Sequence, residues 1–139
     1  MKNRRVVVTG VGALTPIGNN LKDYWNNLII GESGAAPISK FNAENFKTRF
    51  ACEVKNFDPS IVLDRKESRK LDLFSQYALV VADEAVKSSE IDIEELNPDR
   101  AGVIWGSGIG GMFTFFNESL NYGKSNGIPR FNPFSVSYT

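Results

Sequence analysis

Two glycine-rich loops contain the residues whose spacing is typical of phosphate binding. Gly10-Val11-Gly12 follows three consecutive valines, and Gly106, Gly108 and Gly111 match the spacing G-x-G-x-x-G. A loop of this kind between a strand and a helix can bring backbone N–H groups close to a pyrophosphate. Thr15-Pro16 stands where the first loop would need a third small residue, and the second loop lacks the acidic ribose-binding residue about 20 positions on. We therefore interpret both loops as tight turns that allow close backbone packing, with a dinucleotide site as the alternative.

The chain offers few groups for covalent catalysis or metal binding. It contains no histidine and one cysteine, Cys52, so the chain alone cannot build a Ser-His-Asp or Cys-His arrangement. A single cysteine also excludes an intramolecular disulfide and a multi-cysteine zinc site. A reactive thiol needs a positive environment, whereas Cys52 precedes Glu53 in an apolar stretch. We expect Cys52 to be a small, partly buried structural residue.

Four basic residues form a cluster that we call the basic face: Arg65, Lys66, Arg69 and Lys70. On a helix, this spacing projects all four side chains to one side. The chain has 16 basic and 16 acidic residues and hence zero formal net charge, so the basic face is a local positive field that can attract an acidic partner or a phosphate. On spacing alone, a solvated surface partly neutralised by nearby carboxylates is the simpler interpretation.

The elements that must position these residues alternate between strand and helix. Residues 6–8 and 101–105 are predicted as buried strands that lead into the two glycine loops, and residues 50–54 as a further strand. Helices are predicted from Asn19 or Asn20 to Gly31, over about residues 67–87 and over residues 112–122. Asp58-Pro59-Ser60 opens another helical region, and Asn97-Pro98-Asp99 is a predicted turn. This alternation predicts an α/β fold class.

Length and composition fit one folded domain. The chain has 139 residues, of which 42% are hydrophobic and 23% charged, and this balance argues against disorder. No apolar run approaches the roughly 20 residues of a membrane-spanning helix, and no secretory signal is recognisable. We expect a cytoplasmic protein with no membrane or nucleic-acid partner.

The stretch from Arg5 to Gly18 resembles the opening of the β-ketoacyl-[acyl-carrier-protein] synthases and is closest to type II. Further matches follow in the same order and near the same spacing. They are Thr48-Arg49-Phe50-Ala51, Val54-Lys55-Asn56-Phe57-Asp58-Pro59, Arg69-Lys70-Leu71-Asp72-Leu73-Phe74-Ser75-Gln76-Tyr77-Ala78, Gly106-Ser107-Gly108-Ile109-Gly110-Gly111 and Phe131-Asn132-Pro133-Phe134. The resemblance therefore extends from residue 4 to residue 134.

The resemblance implies a thiolase-like layered α/β/α/β/α fold, of which this chain would hold only the N-terminal half, and that incompletely. Such enzymes are homodimers that take an acyl chain from acyl carrier protein onto a cysteine. They then condense it with malonyl-acyl-carrier-protein, releasing carbon dioxide and extending the chain by two carbons. No cofactor of the enzyme itself is implied, because the phosphopantetheine arm belongs to the acyl carrier protein.

Several positions inherit a role from this resemblance. Gly108 and Ile109 match the wall of the acyl pocket, with Ile109 at its gate, and Phe134 matches a segment that helps form the partner subunit's pocket. Lys66, Arg69 and Lys70 match the basic patch that docks acyl carrier protein. No catalytic residue is assigned, since the nucleophilic cysteine, the two histidines and the lysine of the family come after the last matched segment. Cys52 lies far upstream and does not inherit the nucleophile role.

The last residues, 135–139, depart from the family pattern. We interpret residues 1–139 as the N-terminal part of a β-ketoacyl synthase domain, with a truncation or a shifted reading frame near residue 135 as the hypothesis for that departure. Alone, the chain is predicted to be inactive; the alternative is a non-catalytic module that docks acyl carrier protein. Because central strands would lack partners, we also predict poor solubility or a loosely packed C-terminal third.

Overall fold

The computed structural model describes residues 4–128 and residue 131. They belong to two compact units: residues 4–58 and 81–92 make up the first, and residues 59–80, 93–128 and 131 the second. The described part of the chain forms four α-helices and two short strands, in the order α1 (Leu21–Ile29), β1 (Ala35–Pro37), β2 (Phe50–Cys52), α2 (Arg65–Ser68), α3 (Leu73–Ser89) and α4 (Met112–Lys124). The mixture of helix and strand agrees with the predicted α/β class.

In the first unit, α1 spans Leu21–Ile29 and ends as the sequence predicts. Its N-cap is Asn20, whose side-chain oxygen accepts a hydrogen bond from the Asp23 N–H at 2.8 Å. The C-cap is Ile30, and Gly31 follows at φ 73°, a left-handed conformation that glycine adopts without a steric cost. The Gly31 N–H donates to the Leu28 carbonyl at 3.1 Å, which satisfies one carbonyl of the last turn.

The same unit contains an antiparallel pair of strands, β1 (Ala35–Pro37) and β2 (Phe50–Cys52). Ala36 lies opposite Ala51, and the Ile38 N–H extends the ladder with a 3.0 Å bond to the Arg49 carbonyl. β2 confirms the strand predicted within residues 50–54. β1 was not predicted, because a proline ends it and no alternation of apolar and polar residues marks it.

In the second unit, 3₁₀ turns at Pro59–Ile61 and Pro98–Arg100 occupy the two proline-initiated positions that the sequence indicates. α2 spans Arg65–Ser68 and α4 spans Met112–Lys124, the latter close to its predicted bounds. α3 spans Leu73–Ser89, and its residues up to Val80 fall in the second unit while those from Val81 fall in the first. The helix predicted over about residues 67–87 is confirmed from residue 73 onward as α3, but its predicted start is wrong, since the helix is interrupted between α2 and α3.

The prediction of buried strands at residues 6–8 and 101–105 is also wrong. Both segments are without strand pairing to any part of the chain that the structure describes. Their side chains are exposed, with 92% of Val6 and 100% of Ile104 accessible. β-Branched residues favour an extended backbone, but a strand exists only where a neighbouring backbone supplies hydrogen-bond partners.

The apolar core of the described residues is small, with Leu63 and Val80 as its buried hydrophobic side chains. Large apolar side chains of α1 and α4 are exposed, as Trp25 and Phe116 illustrate. Exposed apolar surface on this scale is typical of faces that contact other polypeptide.

Candidate functional site

The first glycine loop lies against the backbone of α3. A Cβ added at Gly10 would come within 2.0 Å of the Ala85 carbonyl oxygen, and one added at Gly12 within 2.2 Å of the Val81 carbonyl oxygen. Only glycine allows this approach, since real Cβ contacts with backbone are never that short. The structure thereby supports the close-packing interpretation of this loop, because the space beside both glycines is filled by helix backbone.

The Glu84 side chain of α3 holds this loop in place. Its carboxylate accepts the Ala13 N–H on Oε2 and the Leu21 N–H on Oε1, both at 2.8 Å. One residue therefore binds the end of the glycine loop and the first residue of α1, whose N–H has no partner within the helix. The Val11 N–H donates in addition to the Ser88 Oγ at 2.9 Å, one helical turn further along α3. No sequence pattern distinguishes Glu84 from the neighbouring Asp83, the other acidic residue of α3.

The basic face begins on α2, whose start is fixed by a capping box. The Asp64 carboxylate accepts the N–H groups of Lys66 and Glu67 at 2.6 and 2.7 Å, while the Glu67 side chain accepts the Asp64 N–H at 3.4 Å. This box orders a helix of only four residues, which would not form by its own propensity. Arg65 and Lys66 lie on it, Arg69 is its C-cap and Lys70 follows, all four exposed. The structure therefore brings Lys66, Arg69 and Lys70 together in one exposed segment.

Gln76 and Asp72 explain why the helix breaks beside the basic face. The Gln76 side-chain amide donates to the carbonyls of Ser68 and Leu71 at 2.8 and 2.9 Å, so the carbonyls freed by the break keep partners. The Asp72 carboxylate accepts the Leu73 N–H at 2.5 Å, and its own carbonyl accepts from Ser75 and Gln76 at 3.1 Å. An aspartate that bonds to nearby backbone favours a helix start over a helix interior.

The second glycine loop is held by the beginning of α3. A Cβ at Gly110 would lie 2.8 to 3.0 Å from three atoms of the Phe74 ring. The Thr114 hydroxyl of α4 donates to the Asp72 Oδ2 at 2.5 Å. Gly111 is the N-cap of α4 at φ 70° and makes no side-chain cap bond, being glycine. The loop is thus fixed on its C-terminal side by α3 and α4.

Two of the three residues expected in the acyl pocket, Gly108 and Ile109, are exposed to solvent. Ile109 is 72% exposed, and open space surrounds the position where Gly108 would carry a Cβ. Phe134, the third of these residues, lies outside the described residues. Within residues 4–128, Ile109 is therefore on an exposed loop and not inside an enclosed pocket.

Cys52 differs from its expected environment. It is a free thiol at the end of β2 and is exposed, so the prediction of partial burial is wrong. A strand in a two-stranded sheet has a face that nothing covers unless another element packs on it.

As for metals, the described part of the chain contains no cluster of three or more potential His, Cys, Asp or Glu ligands.

Two cavities lie near these features, one in each unit. The first, of about 310 Å³, lies between the loop after the first glycines and the start of α1 and is lined mainly by polar groups, among them Asn19 and Asn27. Both amides are engaged internally, since Asn19 donates to the carbonyls of Lys55 and Asn56 and Asn27 to that of Ile17. The second, of about 300 Å³, adjoins the basic face and is lined by Leu63, Glu67, Lys70, Leu71 and Leu79.

Residues 3–137 match the family defined as "Beta-ketoacyl synthase, N-terminal domain". Among curated proteins, the chain is 43% identical over 136 residues to "3-oxoacyl-[acyl-carrier-protein] synthase 2" of Coxiella burnetii. It is 49% identical over 138 residues to the protein of the same name from Staphylococcus aureus (strain COL). These alignments include 98% and 97% of this chain and 33% of each relative. The chain thus spans about a third of the length of the curated relatives it matches.

Solved structures agree with this likeness. "The ishigamide ketosynthase/chain length factor" superposes with a TM-score of 0.74 at 27% identity, over 97% of this chain and 34% of that one. A type II polyketide synthase acyl-carrier protein in complex with its ketosynthase, AntDE:AntF, gives a TM-score of 0.72 at 27% identity, over 95% of this chain and 35% of that one. The α/β, thiolase-like fold class expected from the sequence is confirmed. None of the helices within the described residues has the length and apolar character needed to cross a bilayer.

Proposed function

The chain belongs to the β-ketoacyl synthase family, over its N-terminal domain, and we propose that it is the N-terminal part of a 3-oxoacyl-[acyl-carrier-protein] synthase. The reaction is the condensation of an enzyme-held acyl group with malonyl-acyl-carrier-protein, which releases carbon dioxide and extends the acyl chain by two carbons in fatty acid elongation. Curated relatives with this name, at 43% and 49% identity, support the assignment. Residues 1–139 are one part of the synthase domain; the family match runs to residue 137, and the departure of residues 135–139 from the family pattern stays a prediction.

Within that reaction, the contribution of this chain is docking and part of the pocket wall. The single observation that carries this proposal is the exposed segment that presents Lys66, Arg69 and Lys70 together. Acyl carrier protein is acidic, so opposite charges steer the two proteins toward each other and set their orientation. Gly108, Ile109 and Phe134 are proposed to contribute to the acyl pocket. Cofactors of the enzyme itself are not needed, because phosphopantetheine arrives on the carrier protein.

The chemistry of the nucleophile is not assigned to these residues. The sequence has no histidine, and Cys52 lies on β2, away from the segment that the family resemblance would assign to the nucleophile. We therefore expect the 139-residue chain alone to bind carrier protein without accepting its acyl group. The whole enzyme is proposed to be a cytoplasmic homodimer, and the exposed free thiol of Cys52 suits a reducing compartment.

A second candidate is a non-catalytic module that docks acyl carrier protein without belonging to an active synthase. The observation that favours it is that side chains of this chain order the basic face. They are Asp64, through its capping box, and Gln76, through its bridging amide. Acyl transfer in a complex of this chain with any complementing polypeptide would exclude it.

The test is a binding titration of the purified chain with acyl carrier protein at several salt concentrations. We expect binding that weakens as salt rises, since exposed charges are screened beyond about 8 Å at physiological ionic strength. The double variant Arg69→Glu/Lys70→Glu should weaken binding by at least about tenfold. Arg100→Glu/Lys124→Glu, which reverses the same two residue types at exposed positions elsewhere, is the matched control. Unchanged affinity in the first double variant would overturn the docking proposal, and acyl transfer by the chain alone would overturn its predicted inactivity.

A further inference from the structure

Asp72 uses its two carboxylate oxygens for two different elements. Oδ1 accepts the N–H of Leu73 at 2.5 Å, at the start of α3, and Oδ2 accepts the hydroxyl proton of Thr114 at 2.5 Å, in the first turn of α4. Hydrogen bonds to an ionised acceptor are shorter and about twice as strong as neutral ones. Thr114 lies 42 residues further along the chain, so this bond is a tertiary contact.

A second contact from α3 reaches the same loop. The Phe74 ring lies so close to Gly110 that no side chain would fit there. Gly110 and Thr114 stand on either side of Gly111, the N-cap of α4 that makes no side-chain cap bond. The start of α4 is therefore held by Asp72, through the Thr114 hydroxyl, and by Phe74, through its contact with Gly110, in place of a capping side chain.

Among the described residues, the Ile109 side chain is not held in this way. Its side chain is 72% exposed, and the neighbouring Gly108 has open space around it. Its position is therefore determined by the backbone that follows it, which is Gly110 against Phe74 and Thr114 against Asp72. We expect the loss of either contact to loosen the loop, because glycine places little restriction on backbone rotation.

We propose that Asp72 is a positioning residue, which sets the place of Ile109 by anchoring Thr114 and with it the second glycine loop. The inference rests on the proposed function in one respect, namely that Ile109 forms part of the acyl-pocket wall. Because Arg69 and Lys70 stand three and two residues before Asp72, the basic face and the pocket wall share one structural support.

The test is nuclear magnetic resonance on the full 139-residue chain, with the Gly110 α-protons as reporters. One of these protons points toward the Phe74 ring, so the ring current shifts its resonance as long as the loop is held. In Thr114→Val, which keeps the shape and removes the hydroxyl, we expect this shift to be lost. The order parameters of residues 108–110 should fall from about 0.85 to below about 0.6. Thr114→Ser should restore both, and Ser119→Ala, which removes another hydroxyl of α4, should change neither.

Asp72→Ser separates anchoring from helix capping. Serine can still cap α3 but does not reach Thr114, so we expect helix content to be kept and the Gly110 shift to be lost. A retained Gly110 shift in Thr114→Val or in Asp72→Ser overturns the proposal. Loss of the entire fold in both variants overturns it as well, since the pair would then be a general structural support.

Carrier-protein binding measured on the same samples separates this inference from the proposed function. Wild-type binding combined with an unchanged Gly110 shift in the variants rejects the anchor and leaves the docking proposal standing. Loss of the Gly110 shift combined with no carrier-protein binding by the wild type rejects the docking proposal and leaves the anchor standing.

Discussion

The Glu84 carboxylate accepts the Leu21 N–H at 2.8 Å, across 63 residues of sequence. Its other oxygen accepts the Ala13 N–H at the same distance. A single α3 side chain thus replaces the missing backbone partners of a loop and of a helix start. The first glycine loop is arranged around this carboxylate.

Replacing Glu84 should therefore destabilise the first unit. Glu84→Ala leaves two partly buried N–H groups without an acceptor, and we expect a loss of about 1–3 kcal/mol in the free energy of unfolding. Urea unfolding followed by far-ultraviolet circular dichroism measures this loss. Glu95→Ala, at an exposed position, is the control. Equal unfolding midpoints for the two variants would contradict the assigned role.

Close packing of the first glycine loop can be tested in the same way. Gly10→Ala places a Cβ 2.0 Å from the Ala85 carbonyl oxygen, so loop and helix must move apart. We expect a destabilisation of about 1–3 kcal/mol, typical of overpacking. Gly102→Ala has open space around the new methyl group and should leave the thermal midpoint nearly unchanged. A Gly10→Ala variant as stable as Gly102→Ala would show that the loop lies away from α3.

Gln76 should be needed for the junction between α2 and α3. Gln76→Ala leaves the carbonyls of Ser68 and Leu71 without their side-chain donor. We therefore expect the free energy of unfolding to fall by about 1–3 kcal/mol. Asn117→Ala, which removes an exposed amide from α4, serves for comparison in urea unfolding. Because the junction orders the basic face, Gln76→Ala should also weaken carrier-protein binding. Unaltered stability would mean that water replaces the amide at no cost.

Glu53, the residue after β2, has a carboxyl group whose pKa is shifted in the folded chain. The Ser39 hydroxyl donates to the Glu53 Oε2 at 2.6 Å, and this bond is the main reason that the pKa of Glu53 is lowered from 4.5. Since the folded-state pKa is below the unfolded value, the stabilisation is present above about pH 4.5 and is lost as the pH falls through the folded-state pKa.

Ser39→Ala should raise the pKa of Glu53 toward 4.5. Carbon-detected magnetic resonance titration of the side-chain carboxyl measures the change, with Ser107→Ala as the control. A pKa of Glu53 that stays low in Ser39→Ala would assign the shift to the backbone N–H groups of Ser39 and Lys40 instead.

Local features were predictable from the sequence. The caps of α1, the extent of α4 and the proline-initiated turns depend on residues within about one helical turn of each other. The family likeness followed from the order of several short motifs, and the basic face from four basic residues in six positions. Glycine at positions 10 and 12 already implied a close backbone approach, although not its partner.

Only the tertiary structure decided what those residues contact. No sequence pattern marks Glu84, Asp72 or Thr114. Their hydrogen-bond partners lie 42 to 71 residues away, so these bonds form only when the chain folds back on itself. The strands predicted at residues 6–8 and 101–105 failed for the same reason: sequence supplies the extended backbone and the apolar side chains, whereas pairing needs a second segment in place. The helix break before α3 likewise depended on bonds from Asp72 and Gln76 that outweigh the apolar periodicity.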